Sequence, residues 1–448
     1  MYVNDLSRLG ALEAANAIRS RNICSHELVQ ACIERIEKRE GVVNAWVDFD
    51  PQRAIDEARV SDEEMMRNGV KGPLHGVPVG LKDIIDTYDF PTQFGSDLFR
   101  GRRPAQDAAS ATFLRKAGAV IMGKTVTTEF ALTGARATTN PHNEKYTPGG
   151  SSSGSAAAVA DFMVPVALGS QTGGSMIRPA SYCGVYGYKP TFGSISRRGV
   201  FILARVLDHL GIYGRSLEDI AIIMEQISDY DPADFDMTNN LVPKILKNDV
   251  IQNSNSPPKI AFIKGPPWLY IKPYMVSLFD GYLEKLNEHV IEVELSGIFD
   301  KALDAHKIIM QANVWHNLSD YRLKSETLLM PETVKRIDDG QFITTREYIE
   351  ATELVDSLSR ALDLLLGQYD IIITASATGE APIGLASTGD AVFQRLWTLT
   401  GLPTITLPHL EGPNGLPIGV QVVGRKGKDK ELFVFAKWLD KFMGYDGE

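Results

Sequence analysis

The chain has 448 residues, of which 44% are hydrophobic and 23% charged, and its formal net charge is −10. This composition is typical of a globular protein with a large core, and an acidic surface that repels phosphate groups argues against nucleic-acid binding. The three cysteines have no paired spacing and the eight histidines form no metal-binding motif, so we predict neither a disulfide framework nor a metal site.

The amino-terminal residues lack the basic and apolar regions of a signal peptide. The longest apolar run, at residues 156–168, is interrupted by Asp161 and Pro165, whereas a helix that spans a bilayer needs roughly 18–20 apolar residues. We therefore expect a cytoplasmic protein that does not contact a membrane.

Helices and strands are predicted in an alternating order. Apolar residues at helical spacing predict two helices within residues 6–38. Short apolar runs then predict strands within residues 74–83, 117–125, 163–174, 259–265, 369–375 and 415–424. Longer periodic stretches predict helices within residues 108–117, 155–159, 217–228, 275–290 and 300–365. This order indicates an α/β layer with a mixed or parallel sheet, which distant segments complete.

Residues 118–125 match the GxxxxGK[ST] pattern of a phosphate-binding loop. Such a loop turns its N–H groups toward phosphate. The four middle residues, Ala119 to Met122, are instead typical of a buried strand, which uses its N–H groups to pair with neighbours. We interpret the match as a structural strand.

Residues 150–154 match the GxSxG pattern of the nucleophile elbow in α/β-hydrolases. An elbow follows a strand, whereas the residues before Gly150 are polar and include Pro148. Its histidine partner would have to be His409. We do not favour this interpretation.

A third set of residues has the features of a catalytic site. Lys82 ends a predicted strand, a Gly/Ser run at 148–160 leads into an Ala-rich helix, and Gly173 and Gly174 directly precede Ser175. Two glycines let the backbone turn tightly and leave N–H groups free for an anion. This arrangement would put a serine hydroxyl next to an oxyanion hole. A plain glycine turn with a capping serine is the structural alternative.

A serine needs a nearby base to act as a nucleophile. Lys82 is flanked by apolar residues, and burial would lower its pKa toward the range that a base needs; alternatively, its amine extends to solvent. His75 is the only histidine in these segments, and its odd offset from Lys82 places the two on opposite faces of a regular strand. Lysine is therefore the more natural base.

These segments resemble the amidase signature family. Its pattern is a lysine before aspartate, a GGSS(S/G)GS segment and a G(S/T)x(T/I)GGS segment, and all three occur here in order. Ser151 and Ser175 have the family's separation of 24 positions. Blocks such as PLHGVPVGLKDIIDT, CGVYGYKPTFG and GLPIGVQVVG are also similar, so the resemblance covers roughly residues 5–440.

The resemblance implies an α/β fold with a large mixed, mostly parallel β-sheet covered by helices on both faces. It implies one amidase domain over residues 1–448, with a catalytic core at about 70–230 and 366–440 and a variable, mainly helical region at about 230–365. The implied activity is an amidohydrolase that cleaves the carbon–nitrogen acyl bond of a small amide, or an ester or carbamate, through a serine acyl-enzyme and without a cofactor.

The resemblance also implies roles for individual residues. Lys82 resembles the base, Ser151 the bridging serine with a cis peptide bond from Gly150, and Ser175 the nucleophile. The N–H groups of Thr172, Gly173, Gly174 and Ser175 resemble the oxyanion hole. Candidate substrate-binding residues are Thr127, Gly150, Gln171 and Arg178. Gln171 stands where many members have Asp, and Arg178 would hold a substrate carboxylate or serve as a structural ion pair or helix cap.

Two other functions stay open at this point. One is the A-type subunit of an amidotransferase, which releases ammonia from glutamine within a complex. The other is a non-catalytic scaffold that keeps the fold. The resemblance further implies a small-molecule amide substrate and is compatible with a homodimer. The acidic charge and the short apolar runs predict neither a nucleic-acid nor a membrane partner.

Overall fold

The computed structural model describes residues 5–132, 134, 137–238, 245 and 257–445. Its strands are β1 (Trp46–Phe49), β2 (Pro78–Lys82), β3 (Val120–Thr125), β4 (Val166–Gln171), β5 (Tyr186–Lys189), β6 (His209–Gly214), β7 (Ile260–Phe262), β8 (Val290–Glu292), β9 (Ile371–Ala375), β10 (Thr404–Glu411) and β11 (Pro417–Val423). They form one sheet in the order β1-β3-β2-β4-β6-β5-β10-β11-β9-β7-β8.

The α-helices are α1 (Ala11–Arg19), α2 (Ser25–Val43), α3 (Pro51–Asn68), α4 (Ala109–Lys116), α5 (Ser153–Ala160), α6 (Ile177–Cys183), α7 (Leu217–Ile227), α8 (Tyr274–Leu286), α9 (Ala302–Lys324), α10 (Pro331–Gly340), α11 (Thr345–Leu365), α12 (Val392–Leu399) and α13 (Asp429–Met443). Of the helices in the described ranges, none combines the length and the apolar character needed to cross a bilayer.

The mixed sheet is confirmed, but the expected predominance of parallel strands is not found. β2 pairs in parallel with β3 and β4, and β7 pairs in parallel with β8 and β9. The other six neighbouring pairs among the described strands are antiparallel. A continuous apolar run indicates that a strand is buried on both faces. It does not indicate direction, because an antiparallel strand covered on both faces has the same pattern.

Helices cover both faces of the sheet, as the sequence predicts. Along β3, Ile121 packs in a cluster with Leu114 of α4, whereas its neighbour Val120 packs in another cluster with Leu28 of α2 and Ala157 of α5. Successive side chains of a strand point to opposite faces. The two clusters therefore lie on opposite sides of the sheet, and the strands between them are shielded from water.

Several predicted elements agree with the structure, and several strands were not predicted. The apolar runs correspond to β2, β3, β4, β7, β9 and β11, and the phosphate-loop match is the buried strand β3. β5 and β6 escaped prediction because glycine weakens the strand pattern. A Cβ at Gly187 would collide with the side chain of Ala180, and one at Gly211 would collide with the carbonyl oxygen of Tyr188.

Helix α5 fixes the Gly/Ser run through one close contact. Gly154, in its first turn, donates its N–H to the carbonyl oxygen of Val126, 3.0 Å away. A Cβ at Gly154 would collide with the carbonyl oxygen of Ala45 and with the amide nitrogen of Val126. The helix can lie this close to the loop after β3 only because residue 154 is glycine.

We expect Gly154→Ala to lower the free energy of unfolding by about 1–3 kcal/mol, because the added methyl group overpacks a rigid contact. Denaturant unfolding measures this change. Gly281→Ala is the matched control: Gly281 lies within α8 with no neighbour near its Cβ position, so alanine should stabilise the protein by about 0.5–1 kcal/mol. Equal effects of the two substitutions would contradict the packing argument.

Candidate active site

Lys82 occupies the centre of the site. It ends β2, which lies between β3 and β4, and its side chain is fully buried. Its Nζ lies 2.7 Å from the Oγ of Ser151 and 2.7 Å from the Oγ of Ser170, near the end of β4. The structure thus brings together the predicted base and the predicted bridging serine, and it adds a second hydroxyl.

Burial lowers the pKa of Lys82 well below its ordinary value of 10.5, and the negative charge of Asp208 offsets part of this effect. In the part of the chain that the structure describes, Lys82 forms no ion pair. Removing an ammonium group from water without a paired charge favours its neutral form. A neutral amine has a free lone pair, so it can accept a proton from a neighbouring hydroxyl.

The segment that contains Ser151 is tied to the segment that contains Ser175. The Gly150–Ser151 peptide bond is cis. The hydroxyl of Ser152 donates to the carbonyl oxygen of Ser170 at 3.1 Å and accepts from the N–H of Ser170 at 3.2 Å. Arg178 donates from Nη2 to the carbonyl oxygen of Gly150 at 2.6 Å. These contacts hold the backbone around Ser151 against β4 and α6.

Ser175 lies on the turn between β4 and α6. Gln171 shapes this turn, because its Oε1 accepts from the N–H groups of Met176 at 2.8 Å and Ile177 at 3.1 Å. The carbonyl oxygen of Ser175 accepts from the Tyr213 hydroxyl at 2.9 Å. Such side-chain bonds to the first N–H groups of a helix fix where it begins. They leave the position of Ser175 well defined.

The turn presents free N–H groups. The backbone N–H groups of Gly173, Gly174 and Ser175 find no acceptor among the described residues. Position 174 favours glycine, since a Cβ would lie 2.8 Å from the Cβ of Ala391 and 2.5 Å from the Oε1 of Gln394. Successive unpaired N–H groups form a site for a negatively charged oxygen.

A cavity of about 570 Å³ opens over this turn. Its lining includes the four predicted oxyanion-hole residues, Thr172, Gly173, Gly174 and Ser175, together with Arg178. Thr127 lines a different cleft of about 480 Å³, beside Asp83 and Asp97. Gln171 is fully buried below the cavity, and Gly150 lies next to Thr388.

Four residues of the site were not identified from the sequence: Ser170, Asp208, His306 and Thr398. The Oδ1 of Asp208 accepts from the Thr172 hydroxyl at 2.5 Å, and the Nε2 of His306 lies 2.8 Å from the Thr172 carbonyl oxygen. The Thr398 hydroxyl donates to the carbonyl oxygen of Gly173 at 2.9 Å. Of these four, only Ser170 had a sequence signal, since it lies within the segment that also contains Ser175.

The nucleophile-elbow interpretation has no support in this geometry. The middle serine of the GxSxG match, Ser152, bonds to the backbone of Ser170, and no strand directly precedes it among the described elements. His409 is buried elsewhere, with its Nε2 2.7 Å from Asp440 and its Nδ1 3.0 Å from the Tyr282 hydroxyl.

A family model described as Amidase matches residues 27–433. Among curated proteins, the chain is 32% identical to the A subunit of the glutamyl-tRNA(Gln) amidotransferase of Agathobacter rectalis, with 98% of this chain and 94% of the relative covered. It is also 32% identical to the protein of the same name from Lachnospira eligens, over 94% of this chain and 95% of the relative.

The chain is also similar to solved structures over nearly its whole length. A chain from a structure described as a vestigial protein complex that reveals the evolutionary origins of an s-triazine catabolic enzyme has a TM-score of 0.90 and 26% identity, covering 97% of this chain and 99% of the other. The peptide amidase of Stenotrophomonas maltophilia has a TM-score of 0.83 and 26% identity, covering 97% of this chain and 96% of the other.

The pH dependence of Ser175 reactivity tests whether the Lys82 amine is neutral. We expect a fluorophosphonate probe to label Ser175 faster as the pH rises, because only the neutral amine can accept a proton. The rate should level off well below pH 10.5, since burial lowers the pKa of Lys82. Lys82→Met should remove this titration and slow labelling by roughly 10²–10⁴-fold. Mass spectrometry of the intact protein measures the labelling rate.

Lys189→Met is the matched control for that experiment. Lys189 is also a fully buried strand lysine, but it bonds to the carbonyl oxygens of Pro190 and Leu402, and it does not line the cavity. This variant should keep the wild-type pH profile of labelling. A wild-type rate that does not change with pH, or an unchanged rate in Lys82→Met, would contradict the assignment of Lys82 as the base.

Proposed function

The chain belongs to the amidase family, and we propose that it is an amidohydrolase that cleaves the carbon–nitrogen acyl bond of a small amide through a Ser175 acyl-enzyme. The observation that carries this proposal is the buried Lys82 amine in contact with the Ser151 hydroxyl, 2.7 Å away. Esters and carbamates have carbonyl groups that the same acyl-enzyme chemistry can attack.

The proposed reaction begins with a proton relay. Neutral Lys82 accepts the proton of Ser151 while Ser151 accepts that of Ser175, and the Ser175 oxygen attacks the substrate carbonyl carbon. The N–H groups of Gly173, Gly174 and Ser175 stabilise the resulting oxyanion. Ser151 then protonates the leaving nitrogen, because an amide anion is a poor leaving group. Water, activated by the same relay, hydrolyses the acyl-enzyme and restores Ser175.

The charges of the cavity support an anionic group on the substrate. Among the described residues that line it, four are cationic, Arg178, Lys307, Arg336 and Arg395, against the single carboxylate of Asp390, which pairs with Arg395 at 3.4 Å. Arg178 is buried, and its bonds go to the Gly150 carbonyl and the Thr388 hydroxyl rather than to a carboxylate. A buried guanidinium without a paired charge is costly, and a substrate carboxylate would compensate it.

Of the candidate substrate-binding residues, Arg178 is the one we propose to contact the substrate. Gln171 is proposed to act as a support of the Ser175 turn, since its side-chain bonds go to Met176, Ile177 and Thr398. Gly150 supplies the carbonyl that Arg178 holds. A cytoplasmic location and a homodimer remain predictions.

A second candidate function is the A-type subunit of an amidotransferase. The observation that favours it is the 32% identity to two proteins named as such subunits, over nearly the whole chain. Glutamine would then be the ammonia donor, and its carboxylate would meet the same cavity cations. The scaffold alternative predicts no turnover at all, although the catalytic side chains are present.

We expect purified wild-type protein to hydrolyse at least one amide from a panel of small amides. Ser175→Ala and Lys82→Met should each lower kcat/KM by roughly 10³-fold or more, because they remove the nucleophile and its base. Ammonia release measures turnover. Ser153→Ala is the matched control, since its hydroxyl has only a 3.5 Å contact with the carbonyl oxygen of Val126.

The outcomes of this experiment separate the candidate functions. Full activity in Ser175→Ala would disprove the proposed mechanism. Turnover that is confined to glutamine and requires partner proteins would favour the amidotransferase. If the wild type hydrolyses nothing under either condition, the scaffold interpretation is favoured.

A pair of four-carbon amides, one with and one without a carboxylate, tests the anionic substrate. We expect wild type to prefer succinamate, which bears a carboxylate, over butyramide. Arg178→Gln should lower this preference by about 10–100-fold in kcat/KM, as removal of a charged hydrogen bond does. A general structural defect would slow both amides equally and leave their ratio unchanged. Preference of the wild type for butyramide would contradict the proposal.

A further inference from the structure

Two carbonyl groups of the turn that contains Ser175 are held by side chains from distant helices. The Thr172 carbonyl oxygen lies 2.8 Å from the Nε2 of His306, in α9. The Gly173 carbonyl oxygen accepts from the Thr398 hydroxyl of α12 at 2.9 Å, a hydroxyl that also contacts the carbonyl oxygen of Gln394 at 3.0 Å. The chain separation between His306 and Thr172 is 134 residues.

A held carbonyl fixes the N–H group of the same peptide. In a planar trans peptide, the carbonyl oxygen and the N–H of the next residue point in opposite directions. The contact from His306 to the Thr172 carbonyl therefore directs the Gly173 N–H away from His306. By the same argument, the contact from Thr398 directs the Gly174 N–H. Both N–H groups lack an acceptor among the described residues.

The backbone alone does not fix this orientation. Glycine has more rotational freedom than any other residue, and the Thr172–Gly173 and Gly173–Gly174 peptides both adjoin glycines. A Cβ at Gly173 would make only an ordinary 3.6 Å contact with the ring of His306, so close packing does not restrain that residue. An external donor is therefore needed to hold the peptide plane.

His306 is well suited to this task. A carbonyl oxygen can only accept a hydrogen bond, so the Nε2 of His306 must carry a hydrogen. The ring is buried, and burial lowers the pKa of His306 to about 4, which keeps the ring neutral near neutral pH. Its neighbours Ala305 and Ile309 pack in the same apolar cluster as Leu396 and Trp397 of α12. The helix that bears the donor is thus anchored in the core.

We propose that His306 is a positioning residue for the oxyanion hole: by holding the Thr172 carbonyl, it orients the Gly173 N–H toward the substrate oxygen. Thr398 orients the Gly174 N–H in the same way. The inference rests on the proposed function, since it assigns the hole to a serine acyl transfer. His306 also lines the cavity, but its proposed role acts through the Thr172 carbonyl rather than by contact with the reacting atoms.

The test uses three variants of the full chain. His306→Leu removes the donor, and we expect kcat to fall by about 10²–10³-fold, as for loss of an oxyanion-hole donor, with KM nearly unchanged. His306→Gln places an amide N–H near the Nε2 position, so it should restore kcat to within about tenfold of wild type. Thr398→Val should lower kcat in the same direction as His306→Leu.

A structural readout accompanies the kinetics. A crystal structure of His306→Leu should show the Thr172–Gly173 peptide turned from its wild-type orientation. An unchanged peptide together with unchanged kcat would overturn the inference, and so would a His306→Gln variant as impaired as His306→Leu although both fold. If wild type hydrolyses no amide, the proposed function fails, yet the peptide orientation in the variant still decides whether His306 holds the turn.

Discussion

The rest of the candidate site depends on one constraint, the removal of the Lys82 amine from water. An ammonium group would need a carboxylate or water, whereas Lys82 meets two serine hydroxyls, and the charge of Asp208 acts on it without an ion pair. We propose that burial makes Lys82 the base, because desolvation lowers the pKa of its amine and favours the neutral form. β2 lies between two parallel neighbours, and all five of its residues are buried, Lys82 included.

The candidate site also requires that the turn before α6 be rigid, although glycines make its backbone flexible. The proposed oxyanion hole needs the free N–H groups of Gly173, Gly174 and Ser175, so these groups cannot be used in regular secondary structure. The protein fixes the turn from the outside instead: Gln171 holds the start of α6, Tyr213 holds the Ser175 carbonyl, and His306 and Thr398 hold the two carbonyls before it. Preorganised donors stabilise an oxyanion more than mobile ones do, because nothing has to reorganise during the reaction.

The sequence predicted those parts of the site that lie within short motifs. Lys82, Ser151 and the turn at 172–175 could be proposed because they occur in compact glycine- and serine-rich segments or next to them. His306 could not, since one histidine within a long helix has no local pattern that distinguishes it from a core residue. In the fold, apolar runs revealed six strands but not their direction, and β5 and β6 were missed because close packing requires Gly187 and Gly211 there.

The position of helix α9 affects how the substrate specificity of this fold can evolve. The same helix presents Lys307 and Met310 to the cavity wall and His306 to the turn. On the roles proposed for this helix, a recombination that exchanged it between homologues would alter substrate selection and the reaction rate together. New specificities on this scaffold should therefore evolve more readily by single substitutions along the exposed side of α9 than by replacement of the whole helix.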